Sequence, residues 1–387
     1  MVLRKLWWLN VRPVAELARS EVRELKPCAH GGEVWEAASG RGVQPRSIID
    51  FSANVNPLGP PKGALKAIER SLWRISFYPD PKSTELREAV SKRFEGIGPD
   101  NLVVGNGSTE LIHLFAEVFV DKGDVALIPE PTFGEYEVAV RKAGGRPRHV
   151  KLGRSFSLDP APFLKEVKFG PKVIFLCNPN NPTGALAPRE DLLEIIEGAL
   201  KEDALVFLDE DFIDFVEDGA SLVGEVEDYR NLFVLRSFTK AYGLAGLRVG
   251  YVAACKEAAG LLAKAKTPWN VNCLAQAAAL AALNDESYLE RTRRFVEAER
   301  SFLAGELKRL KALKVFPSSA NFIFVDVRRA GLTAAQLKEE MLKRGILIRD
   351  CSSFRGLDEF YVRVAVRTRE ENERLLEALR EVVEGRA

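Results

Sequence analysis

At 387 residues the chain is too long for one simple core and points to about two domains. Its 56 basic and 55 acidic side chains leave a formal charge of +1, which argues against nucleic acid or an anionic membrane surface as partner. Five scattered cysteines with no Cys-x-x-Cys pair, and only three histidines, argue against a disulfide framework and against a metal site. The apolar run Leu6-Trp7-Trp8-Leu9 is too short to span a membrane and lacks a signal-peptide pattern, so a cytoplasmic protein is expected.

Residues 1–28 form a leader in which Val14–Leu25 has helical spacing, with Val14, Leu17, Val22 and Leu25 as inward positions. A short strand over Ile48–Phe51 precedes the turn-rich Asn54-Val55-Asn56-Pro57-Leu58-Gly59-Pro60-Pro61. Apolar runs of the buried-strand type follow at Leu102–Val104, Val125–Ile128, Val173–Leu176, Leu205–Leu208, Leu232–Leu235 and Val249–Ala253. Helical stretches such as Leu111–Val120, Tyr136–Lys142 and Arg189–Lys201 separate most of them, which predicts an α/β layer on a mostly parallel sheet. After about residue 285 a long charged helix, Ser287–Lys311, opens a different pattern. A strand at Asn321–Val325, a helix at Ala334–Lys343, a strand at Tyr361–Val366 and a helix from Arg369 complete an α+β lobe. The expected division is 1–60 as leader and part of a small domain, 61–284 as a large domain, and 285–387 as the rest of the small one.

Ligands of open α/β sheets sit at the carboxyl ends of the strands. The first such loop, Gly105-Asn106-Gly107-Ser108-Thr109-Glu110, opens a helix and can present free N–H groups to a phosphate, or can simply cap that helix. It lacks the third glycine of a dinucleotide fingerprint and the Gly-Lys-Ser/Thr of a nucleotide loop. Cys177-Asn178-Pro179-Asn180-Asn181-Pro182-Thr183-Gly184 is a tight turn able to aim an Asn amide into the cleft. Asp209 ends the next strand, as a partner for a protonated ring nitrogen or as an ordinary ion-pair acid. The last loop, Ser237-Phe238-Thr239-Lys240-Ala241-Tyr242-Gly243-Leu244-Ala245-Gly246-Leu247-Arg248, sets a lysine and an arginine on a small-residue segment. A lysine amine made nucleophilic by burial forms Schiff bases with aldehydes, and an arginine with hydroxyls suits a phosphate. Together the four strand ends supply what a ring cofactor with a phosphate, an aldehyde and a pyridine nitrogen requires.

With these motifs the chain resembles the fold-type I pyridoxal-phosphate enzymes of the aspartate aminotransferase superfamily over nearly its whole length. The resemblance implies pyridoxal 5'-phosphate as cofactor, with Lys240 as Schiff-base lysine and Asp209 on the ring nitrogen. It implies Asn181 at the ring oxygen, Phe133 stacked on the ring, and Ser108, Thr109, Ser237 and Arg248 on the phosphate. Tyr78 looks like the tyrosine that reaches a partner's cofactor, which implies a homodimer with shared active sites. Phe212 stands where many aminotransferases have a tyrosine, removing a donor to the ring oxygen and speaking against transaminase tuning.

Two branches of the superfamily fit. Val22-Arg23-Glu24-Leu25-Lys26-Pro27 is similar to the opening of histidinol-phosphate aminotransferases. His30-Gly31-Gly32, Asp50–Gly59, Ile348–Phe354, Tyr361–Thr368 and Phe212 look more like threonine-phosphate decarboxylases of cobalamin biosynthesis. On that likeness His30, Gly31, Asn54, Asn181, Arg349 and Arg363 are expected to bind a small phosphorylated amino acid, with a bidentate arginine on its carboxylate. The expected reaction is then a lyase one, decarboxylation of threonine phosphate to aminopropanol phosphate, with an aminotransferase as the alternative. Ser237-x-x-Lys240 also matches a penicillin-binding pair, but the companion Ser-Asp-Asn and Lys-Thr-Gly motifs are absent.

Overall fold

A computed structural model describes residues 12–217 and 219–384. The strands in chain order are β1 (Ile49–Asp50), β2 (Leu102–Gly105), β3 (Val125–Glu130), β4 (Arg146–Lys151), β5 (Val173–Cys177), β6 (Leu205–Asp209), β7 (Leu232–Ser237) and β8 (Gly250–Ala254). They continue with β9 (Lys314–Val315), β10 (Phe322–Asp326), β11 (Ile346–Leu347), β12 (Arg349–Asp350) and β13 (Tyr361–Ala365). Seven of them form one sheet in the order β2-β8-β7-β6-β5-β3-β4, in which only β8 runs antiparallel to its neighbours.

The middle of this sheet is buried on both faces, which is why its strands are unbroken apolar runs in the sequence. Side chains alternate across it. Phe175, Phe207 and Phe233 face one layer, where Phe115 of the helix Ser108–Phe119 meets their rings at 5.7, 4.6 and 4.8 Å between centroids. Ile174, Val206 and Val234 face the other, against Ile195, Ile196 and Ala199 of the helix Arg189–Lys201. Burying each such side chain contributes about 1.5–3 kcal/mol. β4 carries no apolar run, and as an edge strand it tolerates Pro147 and exposed charges.

A second sheet, β12-β13-β10-β9, is antiparallel throughout and packs on the helices Glu286–Arg309, Ala334–Lys343 and Arg369–Glu384. β1 pairs in parallel with β11, which ties residues 49–50 to this part of the chain. Phe51, Phe212 and Ala241 share its core, so the end of β6 and the lysine loop are braced by both sheets.

The single helix expected over Val14–Leu25 is instead two four-residue helices, Val14–Leu17 and Ser20–Arg23, broken by extended backbone at Ala18 and Arg19. Val14 and Leu17 are exposed, because helices this short bring no apolar face to bury. Leu6-Trp7-Trp8-Leu9 lies outside the described residues. No helix among the described residues is long and apolar enough to cross a membrane.

Candidate active site

The carboxyl ends of β2, β5, β6 and β7 lie along one edge of the large sheet. Above them a cavity of about 190 Å³ is lined by Thr109, Phe133, Asn181, Asp209 and Lys240 from that sheet's loops. His30, Gly31, Asn54, Arg349 and Arg363 close it from the other side. Ser108, Ser237 and Arg248 lie just beneath, joined to the cavity wall through Asp211, whose carboxylate Oδ1 accepts from Ser108 Oγ at 2.6 Å. Of the residues expected from the sequence only Tyr78 is elsewhere. It is 80% exposed, stacked on Trp269 at 4.6 Å.

Each loop has a local reason to present its side chain. At the β2 end Gly107 has φ +84, and a Cβ there would collide with the Arg248 guanidinium. The glycine therefore lets the arginine lie directly under the first turn of the helix that starts at Ser108. At the β5 end the other asparagines build the turn. Asn180 Nδ2 donates to Pro131 O (3.0 Å) and Thr183 Oγ1 (2.9 Å), and Asn178 Oδ1 accepts from Ala187 N (2.8 Å). This leaves Asn181 to face the cavity, where its Oδ1 accepts from Arg363 Nη1.

Asp209 is 3% exposed; Oδ2 accepts from the Tyr136 hydroxyl at 2.6 Å and Oδ1 from the Asp211 N–H at 2.9 Å. Burial, then the Asp211 carboxylate, push its carboxyl above the ordinary range. Burial likewise lowers Lys240, assisted by the arginines 363 and 248 and opposed by Asp211 and Asp209. Phe212 packs edge-on against Phe322 at 5.1 Å, with the Lys240 ammonium nitrogen 5.7 Å above its ring.

Arg349 and Arg363 are each 5% exposed and are direct register partners on β12 and β13. Their donors go to neutral acceptors. Arg363 Nη2 donates to Ser52 O (2.9 Å); Arg349 donates to His30 O (3.0 Å), Ala29 O (2.7 Å) and Ser353 Oγ (2.9 Å). Among the described residues neither arginine is paired with a carboxylate within ion-pair distance. Burial, offset in part by Cys351, brings Arg363 down to about 10. Two like charges directly opposite on neighbouring strands are unfavourable, and an anion between them removes the penalty. Gly31 is needed at this corner, since a Cβ would collide with Ser52 O. Asn54 is buried with its Oδ1 unpartnered. His30 Nε2 is 2.9 Å from Glu135 Oε1, and Cys28 brings its thiol close to the same pair. Burial and the Glu135 carboxylate raise that thiol above its ordinary value.

Sequence reasoning passed over Tyr136 and Glu135. The signal was present, because both lie in the first turn of the helix that follows Phe133, and a buried tyrosine needs a polar partner. A larger cavity, about 690 Å³, contains Arg236, but that guanidinium is already paired with Asp214 and, at 3.5 Å, Glu210.

The pattern described as "Aminotransferase class I and II" matches residues 46–379. The chain belongs to that family. Its cofactor is pyridoxal 5'-phosphate, and the site fits it: the buried Asp209, with no arginine partner among the described residues, lines the cavity with a lysine whose amine pKa is lowered by burial, and a glycine leaves room for an arginine below. A curated relative, the histidinol-phosphate aminotransferase of Methanothermobacter thermautotrophicus, is 36% identical over 95% of this chain and 97% of its own. The crystal structure of the histidinol-phosphate aminotransferase from Clostridium acetobutylicum matches with a TM-score of 0.81 and 31% identity, over 87% of this chain and all of that one. The L-threonine-O-3-phosphate decarboxylase structure from Porphyromonas gingivalis matches with a TM-score of 0.78 and 31% identity over the same shares.

These likenesses overturn the expected decarboxylation and with it the lyase assignment and the place in cobalamin biosynthesis. The full-length relative at the higher identity is a transaminase. The physical reason is that the segments carrying the decarboxylase likeness, around His30, Asn54, Arg349 and Arg363, line one side of the cavity with two buried cations, the arrangement of an anion pocket. Such a pocket grips a phosphate or a carboxylate whichever bond at the substrate carbon is then broken. Phe212 both lines the cavity and packs into the hydrophobic core beside β10.

Proposed function

We propose that the protein is a histidinol-phosphate aminotransferase, moving the amino group of histidinol phosphate to a 2-oxo acid such as 2-oxoglutarate. The observation that carries this reading is the full-length likeness to a histidinol-phosphate aminotransferase, 36% identical over 95% of this chain. The buried register pair Arg349–Arg363, with no carboxylate partner among the described residues, is compatible with it. An aminotransferase of this kind admits two anionic substrates in turn, a phosphorylated amine and an oxo acid with carboxylates. Paired arginines suit both.

Pyridoxal 5'-phosphate, when bound, supplies an aldehyde that condenses with amines and a ring that accepts electrons. Ser108, Thr109, Ser237 and Arg248 would hold its phosphate, Asp209 its ring nitrogen, Asn181 its ring oxygen and Phe133 its face. Tyr136 fixes the Asp209 carboxylate through the bond from its hydroxyl. Lys240, its amine pKa lowered by burial, takes the proton from the carbon that bears the donor's nitrogen. It later returns a proton to the corresponding carbon of the acceptor. Arg349 and Arg363 orient both substrates so that this carbon lies within reach of the Lys240 Nζ, and His30 and Asn54 add donors at the pocket's outer side. The exposed apolar face at Leu72, Trp73, Ile75, Phe77 and Tyr78 is the proposed contact with a second copy, which brings Tyr78 to the partner's site.

The test is direct. Purified protein loaded with cofactor, given histidinol phosphate and 2-oxoglutarate, is expected to form glutamate in step with loss of the amine. Absence of glutamate together with carbon dioxide release from O-phosphothreonine would overturn the proposal.

A further inference from the structure

Asp211 has no part in the roles assigned above. It follows Asp209 by two residues, and its carboxylate lies on the cavity wall. Ser108 Oγ donates to its Oδ1 at 2.6 Å, and the Ser237 hydroxyl, which accepts from the Thr239 N–H at 2.9 Å, is a second polar neighbour that favours its charged form. Lys240 and Arg248 are the cations that act on it, and Asp209 is an acid that its charge raises in turn. Ser108, Ser237 and Arg248 are also three of the four groups that the cofactor's phosphate would use. One set of donors is thus held by a carboxylate of the chain itself. A phosphate entering the same set brings a second anion against it, and like charges in a partly buried site repel strongly.

We propose that Asp211 is an internal anion of the phosphate cup: without cofactor it holds Ser108 beside Ser237 and Arg248, and the cofactor's phosphate must displace it to bind. In the apoprotein the carboxylate keeps the cup assembled, because Ser108, Ser237 and Arg248 otherwise lie together without an anion. The same contact weakens cofactor affinity. The inference rests on pyridoxal phosphate as cofactor and is independent of which amine the enzyme uses.

The experiment uses the full-length apoprotein of wild type, Asp211→Asn and Asp211→Ala, titrated with pyridoxal phosphate and followed by the Schiff-base absorbance. Pyridoxal, which lacks the phosphate, serves as the second probe. Asp211→Asn keeps the shape and removes the charge, so it is the informative variant if Asp211→Ala folds poorly. Expected are at least a tenfold lower Kd for pyridoxal phosphate in Asp211→Asn, a clearly smaller gain for pyridoxal, which reports only the lost carboxylate beside Lys240, and a lower melting temperature of the apoprotein. An unchanged or higher Kd for pyridoxal phosphate in folded Asp211→Asn overturns the proposal. An equal gain for pyridoxal also overturns it, since that places the effect at Lys240 and not in the phosphate cup. None of these readings involves an amino donor, so they stand apart from the test of the aminotransferase reaction.

Discussion

Glu135 is fixed between two imidazoles, His30 Nε2 at 2.9 Å and His113 Nε2 at 3.0 Å. Hydrogen bonds, the larger from His113 and the next from His30, bring its carboxyl from 4.5 down to about 2. A carboxyl depressed by folding adds stability above its unfolded value and loses it as pH falls through the folded one. Wild type is therefore expected to melt above Glu135→Gln near neutrality, with the gap closing between pH 4.5 and about 2. Thermal melts across that window check it, and a gap constant with pH contradicts it. At this scale the sequence was most legible where chemistry restricts residue choice. Lys240, Asp209 and Arg248 stand out as side chains at strand ends. Tyr136 and Glu135 did not, because their partners at 209, 30 and 113 are set by packing and not by spacing.

The turn between β2 and its helix shows how backbone geometry serves the site. Gly107 combines φ +84 with ψ 171, a region that side-chain-bearing residues rarely enter. Gly107→Ala is expected to lose about 1–3 kcal/mol of stability through that strain. It should also weaken pyridoxal-phosphate binding, because the added Cβ displaces the Arg248 guanidinium. Denaturant unfolding and cofactor titration measure the two effects, and retention of both contradicts the account. Elements with a double-sided apolar burden, such as β5, β6 and β7, were legible to within a residue or two. β4 and the helix Cys273–Leu283 were not. The first is a polar edge strand, and the second is so uniformly apolar that no face stands out.

Across the whole molecule, the segment Leu72–Tyr78 leaves five large apolar side chains between 51% and 80% exposed. Trp73 and Phe77 meet edge-on at 5.9 Å, forming one patch with the Tyr78–Trp269 stack. A contiguous apolar patch of this kind marks an interface. Trp73→Glu is expected to convert a dimer into monomers in sedimentation, with activity falling in parallel as Tyr78 leaves the partner's site. A wild type that is already monomeric at micromolar concentration, or a variant that stays dimeric, contradicts this.

The sequence by itself determined the layered α/β frame and the cofactor, because buried strands demand apolar runs and the cofactor's groups demand particular side chains at their ends. Only the tertiary structure placed Arg349 opposite Arg363, locked Tyr136 onto Asp209 and bonded Ser108 to Asp211. Those contacts join residues far apart in the chain, and they depend on strand register and helix packing, which no local pattern encodes. The branch of the family was the point where local likeness misled. Segments that line an anion pocket report the charge of the ligand, not the bond that the enzyme breaks.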